Sequence, residues 1–437
     1  MSPETIALIS VFFVFGLIVL GVHVGITLAA MSVLGIWAIT GKVTVALNIL
    51  QVTAYSAVMD YVFAVVPLFV LMGLFSTMAG ATRELFNAAH FFLGRIRGGM
   101  GIATVIANGV FAAITGVSVA SAAVFSKIAY PEMKRLQYDK KFGLGIVAGS
   151  AILGMLIPPS VLMIVYGVVT EQGIGKLFIA GFLPGLVVTA VLSLGIRTMI
   201  YFKPALGGLS EKAEPFTFGN AIRAVGGCWA VVLLILLVLG GIWGGLFTPT
   251  EAGAVGAAGG FLLVILKGKL NLRDAWRVLL DGGQTTASIF LLLICAQMYS
   301  RMLTISGLAS RISEGATSLP VPPWVIIGGF LVVWLILGCI IDSTSIILLT
   351  IPIMHPVAVK LGYHPIWFTI VAIVTIEIGL LTPPFGMVVF AMKSALGDEA
   401  KIEEIFAGST PFMLMLVIAL AIIIAFPILS TFLPSLM

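Results

Sequence analysis

The stretch 116–160 recurs at 341–385, and any fold of this chain must hold the two copies as equivalents. A constant offset of 225 positions places Ser118 on Ser343, Ile128 on Ile353, Pro131 on Pro356, Leu136 on Leu361 and Tyr138 on Tyr363. It also places Gly154 on Gly379, Leu156 on Leu381 and Pro158-Pro159 on Pro383-Pro384, with no gap. Apolar matches carry little weight in so hydrophobic a chain. The punctuating residues carry the comparison: a Ser-rich patch, a lone Pro, a Tyr, then Gly-x-Leu-x-Pro-Pro. The pattern reads as an internal duplication, so the fold is expected to have two equivalent halves.

Composition says where those halves sit. Hydrophobic residues make up 60% of the chain and charged residues 9%, with a mean hydropathy of +1.20. These values lie far from those of soluble globules and describe an all-α polytopic membrane protein. At roughly 20 apolar residues per span there is room for ten or so crossings. Cys228, Cys295 and Cys339 lie in apolar runs without paired spacing, so neither a disulfide framework nor a zinc site is suggested. The net charge of +5 fits a membrane protein with its basic residues on one side, and needs no nucleic-acid partner. The N-terminal MSPETIALIS lacks a basic n-region and a cleavage site, and reads as the start of the first helix.

Taken in order, 4–21, 24–40 and 62–80 read as helices, with 43–60 a shorter polar-broken helix and 81–99 an amphipathic basic connector. Residues 100–135 form two arms of about 15 residues, too short for comfortable spans, around a Gly/Ser-rich turn at 115–118. That is the pattern of a re-entrant hairpin. A long helix broken at Pro158-Pro159 follows (139–171), and 176–202 crosses back. The first repeat is thus 1–205 and the linker 206–222. The second repeat, 223–437, has helices near 224–246 and 250–266, an amphipathic arm at 267–281, and a span at 286–304. A short polar turn, a second hairpin (322–361), a second Pro-Pro-broken helix (364–397) and a last helix (409–433) complete it.

Each repeat has about five crossings plus one hairpin, an odd number, so the second repeat is expected to be inverted. Basic residues test the orientation. Arg83, Arg95, Arg97, Lys134, Arg135, Lys140, Lys141, Lys203, Lys212, Arg223, Lys267, Lys269, Arg273 and Arg277 fall on the side of the first hairpin's base. The equivalent base of the second hairpin keeps only Lys360. The positive-inside rule then puts the first base in the cytoplasm and both termini outside. Inverted repeats with paired hairpins and broken helices are an architecture of secondary transporters.

The breaks supply oxygen ligands. A helix proline removes an N–H and leaves the carbonyl four residues earlier without its partner. The carbonyls of Gly154, Met155, Gly379 and Leu380 are freed in this way, and the breaks expose those of Ile157 and Thr382. In hydrocarbon such groups cost several kcal/mol each unless they line a cavity or hold a cation. With hairpin hydroxyls they make hard-oxygen shells suited to sodium. The expected first cation site is Ser118, Ser121, Gly154, Ile157 and Pro159; the second is Gly338, Ser343, Gly379, Thr382 and Phe385. Helix N-termini at the same breaks attract anions, which makes Thr115, Ser160, Asp342, Thr344 and Ser345 the expected substrate contacts. For each Pro-Pro pair the competing reading is a plain kink, and for each serine it is helix packing in lipid.

Ionisable residues inside spans are weighed in the same way. Asp342 is a candidate to position the second tip or to touch substrate. Glu377 is a candidate partner for a cation or a lysine, Arg301 reads as a snorkelling residue, and Lys127 has no assigned role. The four histidines share no metal-ligand spacing. No Walker A, HExxH or GxSxG pattern occurs, so ATPase, zinc-protease and hydrolase chemistry have no residues to carry them. A membrane enzyme would rest on Asp342 and Glu377 alone.

ITGVSVASAAVFSKIAYPEM, GMLIPPS, DSTSIILLTIPIMHP and IGLLTPPFG, in this order, resemble the large membrane subunit of tripartite ATP-independent periplasmic (TRAP) transporters over essentially the whole chain. The first tip departs from a more serine-rich family pattern at Val117, Val119 and Ala120. The resemblance implies an elevator mechanism, sodium as coupling ion with no other cofactor, and residence in the bacterial cytoplasmic membrane. It also implies a small four-helix membrane partner on a separate chain and a periplasmic binding protein that delivers a small carboxylate. A stand-alone sodium/divalent-anion symporter is the alternative, and dependence on the binding protein separates the two.

Overall fold

The computed structural model describes residues 1–59, 61–209, 217–318 and 320–437. Of the expected linker 206–222, residues 210–216, Lys212 included, lie outside the described residues. Among the described residues the secondary structure is entirely helical, as lipid demands of a chain that must satisfy its backbone internally. Among the described residues seven helices are long and apolar enough to cross a bilayer, or eight if the bent pair Lys140–Leu156 and Val161–Thr170 is one span.

The duplicated stretch folds as two helical hairpins, each followed by a broken helix. The first hairpin has arms Gly99–Thr115 and Ser118–Arg135, the second Pro323–Gly338 and Ser343–Lys360. The second arms keep the 225-residue offset at both ends. The first hairpin's arms of 17 and 18 residues are longer than the sequence suggested, because helix continues to within two residues of Gly116 on each side; the second hairpin's arms have 16 and 18 residues. At 1.5 Å per residue the longest is about 27 Å, close to the roughly 30 Å hydrocarbon core. The first tip turns at Gly116, whose φ of +62° is open to glycine at little cost.

The broken helices run Lys140–Ala151, Leu153–Leu156 and Val161–Thr170 in the first half, and Pro365–Gly379 and Met387–Leu396 in the second. Their packing is reciprocal. Val161–Thr170 lies against Ser343–Lys360 of the other half, and Met387–Leu396 against Ser118–Arg135. The ends agree: Lys134 pairs with Glu399 at 3.3 Å and Lys140 with Glu404 at 2.6 Å. The first brings the base of the first hairpin to the far end of the second broken helix, and the second ties the start of the first broken helix to the helix Ile402–Ala425 that follows. Gln172 Nε2 donates to Thr369 Oγ1 at 3.2 Å and Tyr166 Oη lies 3.0 Å from His355 Nδ1, joining the far end of the first broken helix to the second hairpin and the start of the helix behind it. Both ion pairs are substantially exposed and contribute about 0–1 kcal/mol each; they mark position more than they stabilise.

Close backbone contact fixes Lys140–Ala151 against Ile402–Ala425. A Cβ on Gly145 would sit 2.0 Å from the Gly408 carbonyl oxygen, and one on Gly408 2.1 Å from that of Lys141. Small residues at a helix crossing are how membrane helices approach closely without a hydrophobic driving force. Behind the second hairpin, Trp334 packs on Phe368 with ring centroids 5.4 Å apart, and its Nε1 donates to Thr350 Oγ1 at 2.9 Å.

Three sequence expectations are corrected. The arm 267–281 and the span 286–304 are one 35-residue helix, Leu272–Ser306, because Gly282 is packed against Leu71 and holds helical geometry between them. The turn after it contains a further helix, Leu308–Ser318. The last helix starts earlier and ends earlier, at Ile402–Ala425: Glu404 Oε2 accepts from the Lys401 backbone at its start, and Pro427, which has no N–H to continue the ladder, follows its end. Arg301 and Lys127 are exposed.

Candidate functional site

Each hairpin tip is seated on a Pro-Pro break. In the first half the contact is backbone to backbone: a Cβ on Gly154 would fall 2.9 Å from both Cα and N of Ser118. Val161 N donates to the Gly116 carbonyl at 3.2 Å, and a Cβ on Gly116 would lie 2.5 Å from Pro159 O. In the second half a Cβ on Gly338 would lie 2.6 Å from Gly379 Cα, and one on Gly379 2.8 Å from Gly338 Cα. Phe385 N donates to the Cys339 carbonyl at 3.2 Å. Glycine is needed at these places because any side chain would displace a tip.

Of the residues expected at the first cation site, Ser118, Gly154 and Pro159 are therefore brought together. Ser121 is fully buried on the same helix, and its hydroxyl has no hydrogen-bond partner among the described residues. Ile157 contributes extended backbone at the break, while its side chain fills the space beside Gly185 and Gly109. At the second site Gly338 and Gly379 touch. Ser343 Oγ donates to Glu377 Oε1 at 2.9 Å, and Phe385 joins tip to break through its backbone. The Thr382 hydroxyl donates to Ile378 O at 3.0 Å. Some carbonyls freed by proline are already occupied: Met155 O accepts from Ser160 Oγ at 2.5 Å, and Gly379 O from Thr382 N at 2.9 Å.

The expected substrate contacts divide by role. Ser160 caps Val161–Thr170, accepting from Met163 N at 3.3 Å, and is fully buried. Asp342 caps the second tip's helix, accepting from Ser345 N at 2.9 Å and Ser345 Oγ at 2.5 Å. Thr115 donates to Phe111 O at 3.2 Å, and its backbone faces Gly73 of the helix Val65–Met78. Thr344 is half-buried beside the cap. The two tips thus differ: Asp342 closes the helix N-terminus of the second, while Val117 gives the first no side-chain cap. The uncapped end of an 18-residue helix carries partial positive charge.

Two features were missed by sequence reasoning. Asn108, on the first hairpin's leading arm, donates from Nδ2 to Ser150 Oγ at 3.0 Å, and its Oδ1 is buried without a partner among the described residues. A lone Asn in an apolar arm was the available signal. The other is Glu377, read only as a candidate for a cation or a lysine. It is fully buried and accepts from Ser343 on one oxygen and from Ser118 on the other. The serines that the offset equates thus meet on one carboxylate.

Comparison with known proteins gives one family. The model for the tripartite ATP-independent periplasmic transporter, DctM component, matches residues 11–429. The chain is 35% identical over 378 residues, covering 86% of each protein, to the C4-dicarboxylate TRAP transporter large permease protein DctM of Pseudomonas aeruginosa. It is 30% identical over 435 residues to the sialic acid TRAP transporter large permease protein SiaM of Vibrio cholerae, covering 98% of each. These relatives are transporter permease subunits, not enzymes. Among solved structures the YdaH transporter of Alcanivorax borkumensis has the same fold, with a TM-score of 0.61 at 17% identity, covering 89% of this chain and 88% of that one.

Proposed function

The chain belongs to the DctM component family of tripartite ATP-independent periplasmic transporters, and from that premise we propose that it is the sodium-coupled permease subunit importing a small organic acid. A periplasmic binding protein delivers the acid, and a small membrane subunit works alongside in the bacterial cytoplasmic membrane. The observation that carries the reading is the seating of both hairpin tips on both Pro-Pro breaks. This brings tip and break backbone together in each half, next to hydroxyl and carbonyl oxygens of the type a hard cation takes. The Ser121 hydroxyl and Asn108 Oδ1, without a partner among the described residues, are buried acceptors of the kind a bound ion or water would satisfy.

The acid is held nearer the first tip, where the helix N-terminus lacks a side-chain cap and its N–H groups can meet a carboxylate. The substrates named for its relatives above, a C4-dicarboxylate and sialic acid, are carboxylates, and a small carboxylate is the class we assign here.

The repeats are inverted and the hairpins re-entrant. Support comes from the reciprocal packing. Each broken helix runs past its own hairpin's tip and ends beside the other hairpin or the helix that follows it, as it would if the hairpins came from opposite sides. Hairpins and broken helices then move as one transport body in an elevator mechanism, with both termini in the periplasm. The test is uptake of radiolabelled C4-dicarboxylates and sialic acid into proteoliposomes holding the chain and its small subunit. Uptake is expected only with the binding protein outside and an inward sodium gradient. Uptake without the binding protein would replace this reading with a stand-alone symporter.

A further inference from the structure

Glu377 lies two residues before Gly379, the last residue of the first segment of the second broken helix, and no part of it is exposed. A buried carboxylate is costly unless a cation or several donors compensate it. Glu377 forms no ion pair among the described residues, and its hydrogen bonds there are those from Ser118 and Ser343. Its equivalent in the first half is Ile152, so one carboxylate serves both tips. Each serine spends its proton on Glu377, which leaves the lone pairs of Oγ free to face an ion. Donation to a carboxylate makes the hydroxyl oxygen more electron-rich, as outer partners do for metal ligands generally.

We propose that Glu377 is a positioning residue that acts through Ser118 and Ser343 as the common anionic support of monovalent cations at both hairpin tips. The proposal rests on the sodium-coupled reading above and adds the group that sets cation affinity in both halves. One buried charge held by symmetric hydroxyls makes the two sites share a determinant, so a change at Glu377 weakens both together.

Glu377→Gln separates charge from shape. The amide still bridges, accepting from one serine and donating to the other, whose hydroxyl reorients, but the charge is gone. The experiment follows thermal unfolding of the full chain in detergent while sodium chloride replaces choline chloride at constant ionic strength. In wild type the unfolding temperature rises with sodium, as binding to the folded state requires. In Glu377→Gln the sodium concentration for half of that rise is expected to increase about 10–100-fold, the scale for loss of an outer-shell partner. The unfolding temperature in choline is expected to stay near wild type. Glu377→Asp keeps the charge but is one methylene short of spanning both serines, and its midpoint is expected between the two.

A Gln midpoint within twofold of wild type, or equal Gln and Asp midpoints, overturns the proposal and leaves Glu377 a structural link. Should the Gln chain fail to fold, Glu377→Asp decides: an unshifted midpoint overturns it. Wild type that gains no stability from sodium sinks the sodium-coupled reading itself, a different result from a sodium-sensitive wild type beside an unaltered variant.

Discussion

Gly338→Val is expected to leave a folded chain whose sodium-dependent uptake falls about 100-fold, the scale seen when binding groups move by about 1 Å. The reason is local. The first atom of any side chain at Gly338 would lie 2.6 Å from Gly379 Cα and 3.0 Å from Ile376 O. Backbone cannot yield as a side-chain end can, so the tip must lift from the break. Ser343, five residues on, would then lose its line to Glu377, and oxygens from tip and break would no longer converge. Gly379→Val acts from the other side of the contact and is expected to give the same loss. Gly328→Val is the control, on the same arm as Gly338 but with no atom within 4 Å of its Cβ position, and should keep near-wild-type uptake. Equal uptake by Gly338→Val and Gly328→Val would show that the tip need not touch the break.

Gly145→Leu is expected to act on stability, lowering the unfolding temperature or yielding no monodisperse protein. The crossing of Lys140–Ala151 with Ile402–Ala425 has no room: the Gly408 carbonyl stands 2.0 Å and the Phe412 ring 2.7 Å from a Cβ there. Overpacking in a tight core costs about 1–3 kcal/mol or more, and here both neighbours sit on the one helix Ile402–Ala425, so neither can yield without moving it. Gly219, with nothing within 4 Å among the described residues, should accept Leu with little change. Thermal unfolding of the three chains in one detergent checks this, and an unshifted Gly145→Leu would contradict the crossing.

What could be read from the sequence was what proline, glycine and serine punctuate. The offset of 225 positions located both tips and both breaks, and the structure keeps it to the residue in Ser118–Arg135 and Ser343–Lys360. Pairing Gly154 with the first tip and Gly379 with the second followed from the same punctuation. Tertiary contacts decided the rest. The arm 267–281 and the span 286–304 read as separate elements, yet packing of Gly282 on Leu71 keeps Leu272–Ser306 continuous. Asp342 could cap or bind, and only the geometry of Ser345 makes it a cap. Glu377 stands 259 residues from Ser118, and nothing in either stretch says they meet. Asn108 and Ser150, 42 residues apart, carry no motif at all, since one polar residue in an apolar arm is equally a packing residue.

Cation and acid are expected to move together through a site built from both halves. The most direct test is radioactive sodium flux in proteoliposomes holding the chain, its small subunit and the binding protein, with a carboxylate gradient as the only driving force. Sodium is expected to accumulate against its own gradient on the side to which the carboxylate flows, and Gly338→Val is expected to abolish this. Carboxylate flux that carries no sodium would contradict the coupling.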